Sequence, residues 1–170
     1  MKYIVQGGID KTGLQGTIRV PGDKSISHRS IMFGSLAEGT SHISGFLEGE
    51  DSLNTLRAFQ AMGVDIEGPT EGKVTIHGVG MSGLKAPGKA LDLGNSGTSM
   101  RLMAGLLAGQ QFDVELSGDA SLSKRPMKRV TDPLAEMGAR VETAEGGKPP
   151  LKISGNQSLH SFSYQMPMAS

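Results

Sequence analysis

Apolar residues recur at helical spacing in two stretches of the chain. Leu53, Leu56, Phe59 and Met62 step by three, and Met127, Val130, Leu134 and Met137 step by three, four and three. That spacing lines one helix face. Each run ends on a glycine, Gly63 or Gly138, suited to the left-handed residue just past a helix C-terminus. A strand-like segment follows each, KVTIHGVG at 73–80 and PLKISGN at 150–156. Two further stretches are apolar on most sides: TSMRLMAGLLA (98–108) beyond its first turn, and ISHRSIMFGSLA (26–37) in its C-terminal half. A helix of that kind is buried among other elements rather than laid on a surface. Pro133 lacks the amide that would bond to Arg129, which predicts a kink there or a helix that starts only at Asp132.

The pattern repeats. MGVDIE at 62–67 and MGARVE at 137–142 lie 75 residues apart, and DKSISHRSIMFGSLAEG (23–39) pairs loosely with NSGTSMRLMAGLLAG (95–109) at an offset of 72, aligning Arg29 with Arg101. A recurring period means that the repeat is the structural unit. Each unit reads as a small, polar turn, a helix, a strand, a charged turn, a helix and two strands. TIRV (17–20) and ALDL (90–93) are candidates for a strand before each first turn, which makes the unit βαβαββ. A third copy is expected to begin near residue 157 and to be cut off. The apolar-rich ending SFSYQMPMAS reads as a cut through an element, so a fragment is expected.

Composition narrows the function. The 170 residues carry 17 Lys+Arg and 17 Asp+Glu, a balance poorly suited to sequence-independent binding of nucleic acid or an anionic membrane. There are no cysteines, which excludes disulfides, thiolate metal sites and a Cys nucleophile. His28, His42, His77 and His160 are scattered without metal-ligand spacing, and neither a metal nor a cofactor is expected. No apolar run approaches the roughly 18 residues of a membrane span, and residues 1–16 lack the apolar core of a signal peptide. A cytoplasmic protein is expected. Ten methionines and no tryptophan imply a core filled by flexible thioethers.

Three segments carry candidate chemistry. PGDKSISHRS (21–30) and GNSGTSMR (94–101) are both helix starts, with Asp23 or Ser25 able to cap the first. Free amides and the helix dipole favour an anion there. SLSKRPMKR (121–129) holds Lys124, Arg125, Lys128 and Arg129, and a guanidinium grips carboxylate or phosphate in bidentate fashion. Alone, each segment is also ordinary capping chemistry or a solvated charged face. Glu48, Glu50 and Asp51 read as serving the N-terminus of the second helix, and His28 as a packing or surface residue. Together, two amide-rich turns and a basic segment favour a site for a polyanion.

The strings PGDKSISHRS, LGNSGTSMRL, LSKRPM and YQMPMAS resemble, in order and over the whole chain, the N-terminal part of the 5-enolpyruvylshikimate-3-phosphate synthase family. The resemblance implies an α/β (α+β) fold, the enolpyruvyl-transferase inside-out αβ prism of βαβαββ repeats around buried helices. Here it would hold repeat one at about 22–86, repeat two at about 87–156 and a truncated third at 157–170. Residues 1–21 would form a strand of the other, C-terminal domain, which is absent, and 22–170 most of the N-terminal one. The implied reaction joins phosphoenolpyruvate to shikimate 3-phosphate in aromatic amino-acid biosynthesis, by a full enzyme expected to be a monomer. Carried over by motif, Lys24 would touch both substrates as the catalytic residue; Ser25, Arg29 and Ser170 would bind shikimate 3-phosphate. Asn95, Gly97, Thr98 and Arg125 would form the phosphoenolpyruvate side, supported by Arg101. Gly97 would imply sensitivity to the inhibitor glyphosate. The alternatives are the sister transferase acting on UDP-N-acetylglucosamine, which typically has Lys-Asn at Lys24-Ser25 and a loop Cys, and a non-catalytic phosphate-ligand scaffold.

Overall fold

The computed structural model describes residues 3–4 and 15–165. Two units of the same order make up the chain. The first contains α1 (Lys24–Leu36), β1 (Glu38–Ile43), α2 (Glu50–Ala61), β2 (Asp65–Thr70) and β3 (Lys73–Val79); the second contains β4 (Leu91–Asp92), α3 (Gly97–Ala108), β5 (Val114–Ser117), α4 (Lys128–Glu136), β6 (Val141–Ala144) and β7 (Lys148–Ile153). The sheets have matching topology. In one the order is β1-β3-β2, in the other β4-β5-β7-β6. The hairpin strands pair antiparallel, with Ile66 opposite Ile76 and Val141 opposite Ile153, while β4 joins β5 in parallel. The repeat read from the sequence is therefore the repeat of the fold.

Each element follows from its residues. In α2, Leu56 and Phe59 are buried and Glu50 and Asp51 occupy the first turn, where the dipole favours carboxylates. Gly63 and Gly138 end α2 and α4 at φ +89° and +95°, a region that costs glycine nothing. Strand β7 alternates Pro149, Leu151 and Ile153 inward with Lys148, Pro150 and Lys152 outward, the two-residue period of a half-buried strand. The core joins both units, and Met62, Met100, Met103 and Met127 are wholly buried in it.

Four expectations change. Thr17–Val20 form no strand, and Ile18 and Val20 are exposed, because a lone extended segment has no neighbour to share a ladder. Helix α4 starts at Lys128 and runs through Pro133; it keeps its place because Thr131 and Leu134 are buried against the core. The burial of α1 and α3 is one-sided among the described residues, with Phe33 66% and Leu102 45% exposed. Glu48 does not serve the start of α2: its Oε1 accepts the Gly72 amide at 2.7 Å and so braces the β2–β3 turn. Residues 154–165 contain no helix or strand.

Candidate functional site

Helices α1 and α3 begin side by side. One turn in, the His28 ring of α1 meets the hydroxyl of Ser99 of α3 at 3.4 Å. Asp23 caps α1, its Oδ1 accepting the Ile26 amide at 2.7 Å, and leaves Ser25 exposed. Ser96 caps α3, its hydroxyl accepting the Ser99 amide at 3.2 Å. The two small, polar turns are thus built as helix starts, and they share one end of the molecule. Their dipoles add in the same region, where an anion is favoured.

On the α1 side, the Lys24 ammonium pairs with Asp51 at the start of α2. A pocket of about 220 Å³ opens beside this pair, lined also by Leu47, Gly49, Glu50 and Ser52. Arg29 is exposed and makes no ion pair among the described residues. On the α3 side, Arg125 Nη2 donates to Asn95 Oδ1 at 2.6 Å. The Asn95 amide in turn donates to Asp119, at 2.9 Å to Oδ2. Asp119 also accepts the backbone amides of Ser121 and Leu122 at 2.9 and 2.7 Å, which starts the short turn that carries Arg125. The Asn95 and Leu122 hydrogen bonds hold its carboxyl below the ordinary carboxylate range. Arg101 Nη1 donates to the Gly97 carbonyl at 3.1 Å.

Gly97 lies under both guanidinium groups. A Cβ there would come within 2.7 Å of Arg101 Nη1 and 3.1 Å of Arg125 Nη1. Thr98 is exposed. The structure therefore gathers Asn95, Gly97, Thr98, Arg101 and Arg125 at the start of α3, and Lys24, Ser25 and Arg29 at the start of α1. Ser170 lies outside the described residues. Of the basic run, Arg125 alone turns inward among the described residues, while Lys124, Lys128 and Arg129 face solvent. The dominant features are cations set beside two helix N-termini, an arrangement that favours anionic groups.

Two features went unread in the sequence. Asp119 stands in no distinctive string, although its spacing before Ser121 and Leu122 is that of a capping carboxylate. The second is a buried polar cluster. His28 is wholly buried, and its Nδ1 is hydrogen-bonded to Thr55 Oγ1 at 2.7 Å. Burial lowers the His28 pKa from the ordinary 6.5, Lys24 adds to this, and Asp51 opposes it. These surroundings favour the neutral ring over the charged one.

Comparison with known proteins follows the same lines. The sequence model of the family described as EPSP synthase (3-phosphoshikimate 1-carboxyvinyltransferase) matches residues 9–170. A 3-phosphoshikimate 1-carboxyvinyltransferase of Hydrogenovibrio crunogenus is 71% identical over 157 residues, covering 92% of this chain and 35% of that protein. The Nitrosococcus oceani protein of the same name is 62% identical over 170 residues, 100% of this chain and 38% of its own. A solved EPSP synthase from Acinetobacter baumannii superposes with a TM-score of 0.88 at 63% identity, covering 91% of this chain and 35% of that one. The enolpyruvyl transferase NikO from Streptomyces tendae superposes with a TM-score of 0.51 at 17% identity, over 81% of this chain and 31% of its own, a likeness of fold alone. The α/β enolpyruvyl-transferase architecture expected from the sequence is borne out. The chain spans little more than a third of the length of these curated relatives.

Proposed function

Given that this chain belongs to the EPSP synthase (3-phosphoshikimate 1-carboxyvinyltransferase) family, we propose that the complete polypeptide transfers the enolpyruvyl group of phosphoenolpyruvate to the 5-hydroxyl of shikimate 3-phosphate and releases phosphate. The observation that carries this reading is the juxtaposition of two helix starts, one bearing Lys24, Ser25 and Arg29, the other Asn95, Gly97 and Arg125. Both substrates are multiply charged anions. Bringing them together needs fixed cations and amides to offset their repulsion, and these groups cost no reorganisation if they are already in place.

The roles are those the family resemblance implies, and the position of the described residues at the two helix starts supports them. Arg29 and Ser25 bind shikimate 3-phosphate, with Ser170 on the same phosphate. Arg125, braced by Asn95, grips the anionic end of phosphoenolpyruvate, with Gly97 letting it approach the backbone closely and Thr98 offering a first-turn amide. Arg101 holds the Gly97 carbonyl and so fixes the turn. Lys24 leaves Asp51 to lie between both anions. The 5-hydroxyl then gives up its proton and attacks C2 of phosphoenolpyruvate while C3 takes a proton; the tetrahedral intermediate next loses a proton from C3 as its C2–O bond to phosphate breaks, which leaves the enolpyruvyl ether and free phosphate. The remaining proton-transfer groups lie in the two thirds of the relatives' length that this chain does not span, so the 170-residue chain alone is inactive. We assign residues 1–21 to the other domain and 157–170 to the start of a third repeat. Gly97 makes the complete enzyme sensitive to glyphosate. No helix among the described residues is long and apolar enough to cross a membrane, and the cytoplasm suits this biosynthetic role.

The test is a titration of the 170-residue chain with shikimate 3-phosphate, followed by amide chemical shifts, with UDP-N-acetylglucosamine as control. Shifts at Lys24, Ser25 and Arg29 with the first ligand alone support the reading; a response to the nucleotide sugar alone overturns it. Turnover is then measured in a full-length polypeptide in which residues 1–170 are followed by the remainder of the Hydrogenovibrio relative.

A further inference from the structure

We infer that His28, Thr55, Ser99 and Ser96 form a hydrogen-bonded seam that fixes the two helix starts relative to each other, and that His28 and Thr55 are positioning residues for the transfer reaction proposed above, on which this inference rests. The seam is short and buried. Thr55 Oγ1 stands 2.7 Å from His28 Nδ1 and 2.6 Å from Ser99 Oγ, and Ser99 Oγ stands 2.6 Å from Ser96 Oγ. All four residues are at most 1% exposed.

Its course through the fold is what gives it a role. Helix α1 packs against α2 and β3, whereas α3 packs against α4, β5 and β7. The two starts therefore belong to different units. Apolar contacts between the units would tolerate sliding, because dispersion has little directionality. Hydrogen bonds near 2.6–2.7 Å fix distance and angle together. Apolar side chains of similar volume would fill the same space without polar groups to satisfy, so a polar chain here gains register rather than burial. One end of the seam is Ser96, the cap of α3, next to Asn95 and Gly97. The other is His28, next to Arg29 and one turn beyond Lys24. Thr55 sits between them on α2, one turn beyond Asp51, and touches none of the proposed substrate-binding residues among its hydrogen bonds.

The proton count selects a direction. If Ser96 donates to Ser99, Ser99 to Thr55 and Thr55 to His28 Nδ1, every hydroxyl has an acceptor and the ring carries its proton on Nε2. The Nε2 atom is then the one group of the seam without a partner among the described residues. The opposite direction would leave two groups unsatisfied, the Nε2 lone pair and the Ser96 hydroxyl hydrogen, unless Thr55 turned its own hydrogen to the Asp51 carbonyl, which at 3.3 Å is its longest contact against 2.6 and 2.7 Å within the seam. Burial and Lys24 both disfavour the doubly protonated ring, against the weaker pull of Asp51, and a doubly protonated ring could not accept from Thr55.

Two experiments test this. In the 170-residue chain, ring nitrogen shifts of His28 at pH 7 should report a neutral imidazole protonated on Nε2; a ring protonated on Nδ1, or on both nitrogens, overturns the seam as drawn. In the full-length polypeptide, Thr55→Val keeps the shape and removes the central hydroxyl. It should raise the KM for phosphoenolpyruvate about tenfold while kcat changes less, with Thr55→Ser restoring both. The Gly97 and Thr98 amide resonances should move in Thr55→Val although neither residue touches position 55. Unchanged KM and unmoved amides, with lowered melting temperature alone, would reduce the seam to core packing and overturn the inference. Ser99→Ala repeats the comparison from the α3 side if Thr55→Val does not fold. Absence of any turnover in the unsubstituted polypeptide would instead strike the transfer reading, while the ring-nitrogen result would stand.

Discussion

Gly97 is enclosed more by charge than by bulk. The groups that crowd its missing Cβ are the tips of Arg101 and Arg125, which are long and mobile, so alanine fits if the guanidinium groups retreat. Gly97→Ala is therefore expected to leave stability within about 1 kcal/mol of the parent. It should displace Arg125 from its 2.6 Å bond to Asn95 and weaken phosphoenolpyruvate binding roughly tenfold, since one positioned contact commonly carries that much. Calorimetric titration of the full-length polypeptide, beside thermal melts of the 170-residue chain, separates the two effects. His28 supplies a prediction in pH. Its pKa is lower folded than the 6.5 of the exposed ring, so the unfolded chain binds more protons between those two values. Stability is then complete above about pH 6.5 and falls as pH drops below it. Lys24 and Asp51 are the charged groups acting on the ring. Denaturant midpoints measured from pH 7.5 to 5.5 should fall more steeply for the parent than for His28→Asn; equal slopes would show that His28 is not the group responsible.

At the scale of elements, α3 shows how one helix serves two surroundings. Leu107 is wholly buried, while Leu102 is 45% exposed on the same helix. Leu107→Ala should cost about 2–5 kcal/mol through lost transfer energy and the cavity left behind. Leu102→Ala should stay within about 0.5 kcal/mol, and urea unfolding of the pair checks both. The sequence made α2 and α4 legible because Leu56, Phe59 and Leu134 recur at one spacing and Gly63 and Gly138 stop each run. It also gave away the repeat, because matched strings such as MGVDIE and MGARVE occupy matched places. Strand β4 was legible only as part of ALDL, since two residues carry no periodicity. Thr17–Val20 has the residue types of a strand, but a ladder depends on what lies alongside, which local pattern does not record. The candidate site divides the same way. Lys24, Arg29, Asn95 and Arg125 stand in distinctive strings. The seam is built from Ser, Thr and His, ordinary residues whose partners lie up to 71 positions away, so nothing local marks them.

At the scale of the whole molecule, the described residues form two sheets and four α-helices and leave apolar side chains exposed on both α1 and α3. Ile26 and Phe33 fall seven positions apart on one face of α1, 62% and 66% exposed, and Leu102 adds to the apolar surface on α3. Exposed apolar area of this kind favours association. The 170-residue chain is expected to show a concentration-dependent sedimentation coefficient that Phe33→Lys reduces. A single, concentration-independent monomer peak for the parent would count against this. The net charge of zero acts in the same direction, since it supplies no repulsion between copies.

The seam between the units also makes an internal clock. The hydroxyl hydrogens of Thr55 and Ser99 have no route to water while the two units stay closed, because both residues are 0% exposed. Such hydrogens exchange with deuterium only when a structure opens. Their exchange rate therefore reads out how often the first unit parts from the second, without any need for the rest of the fold to melt.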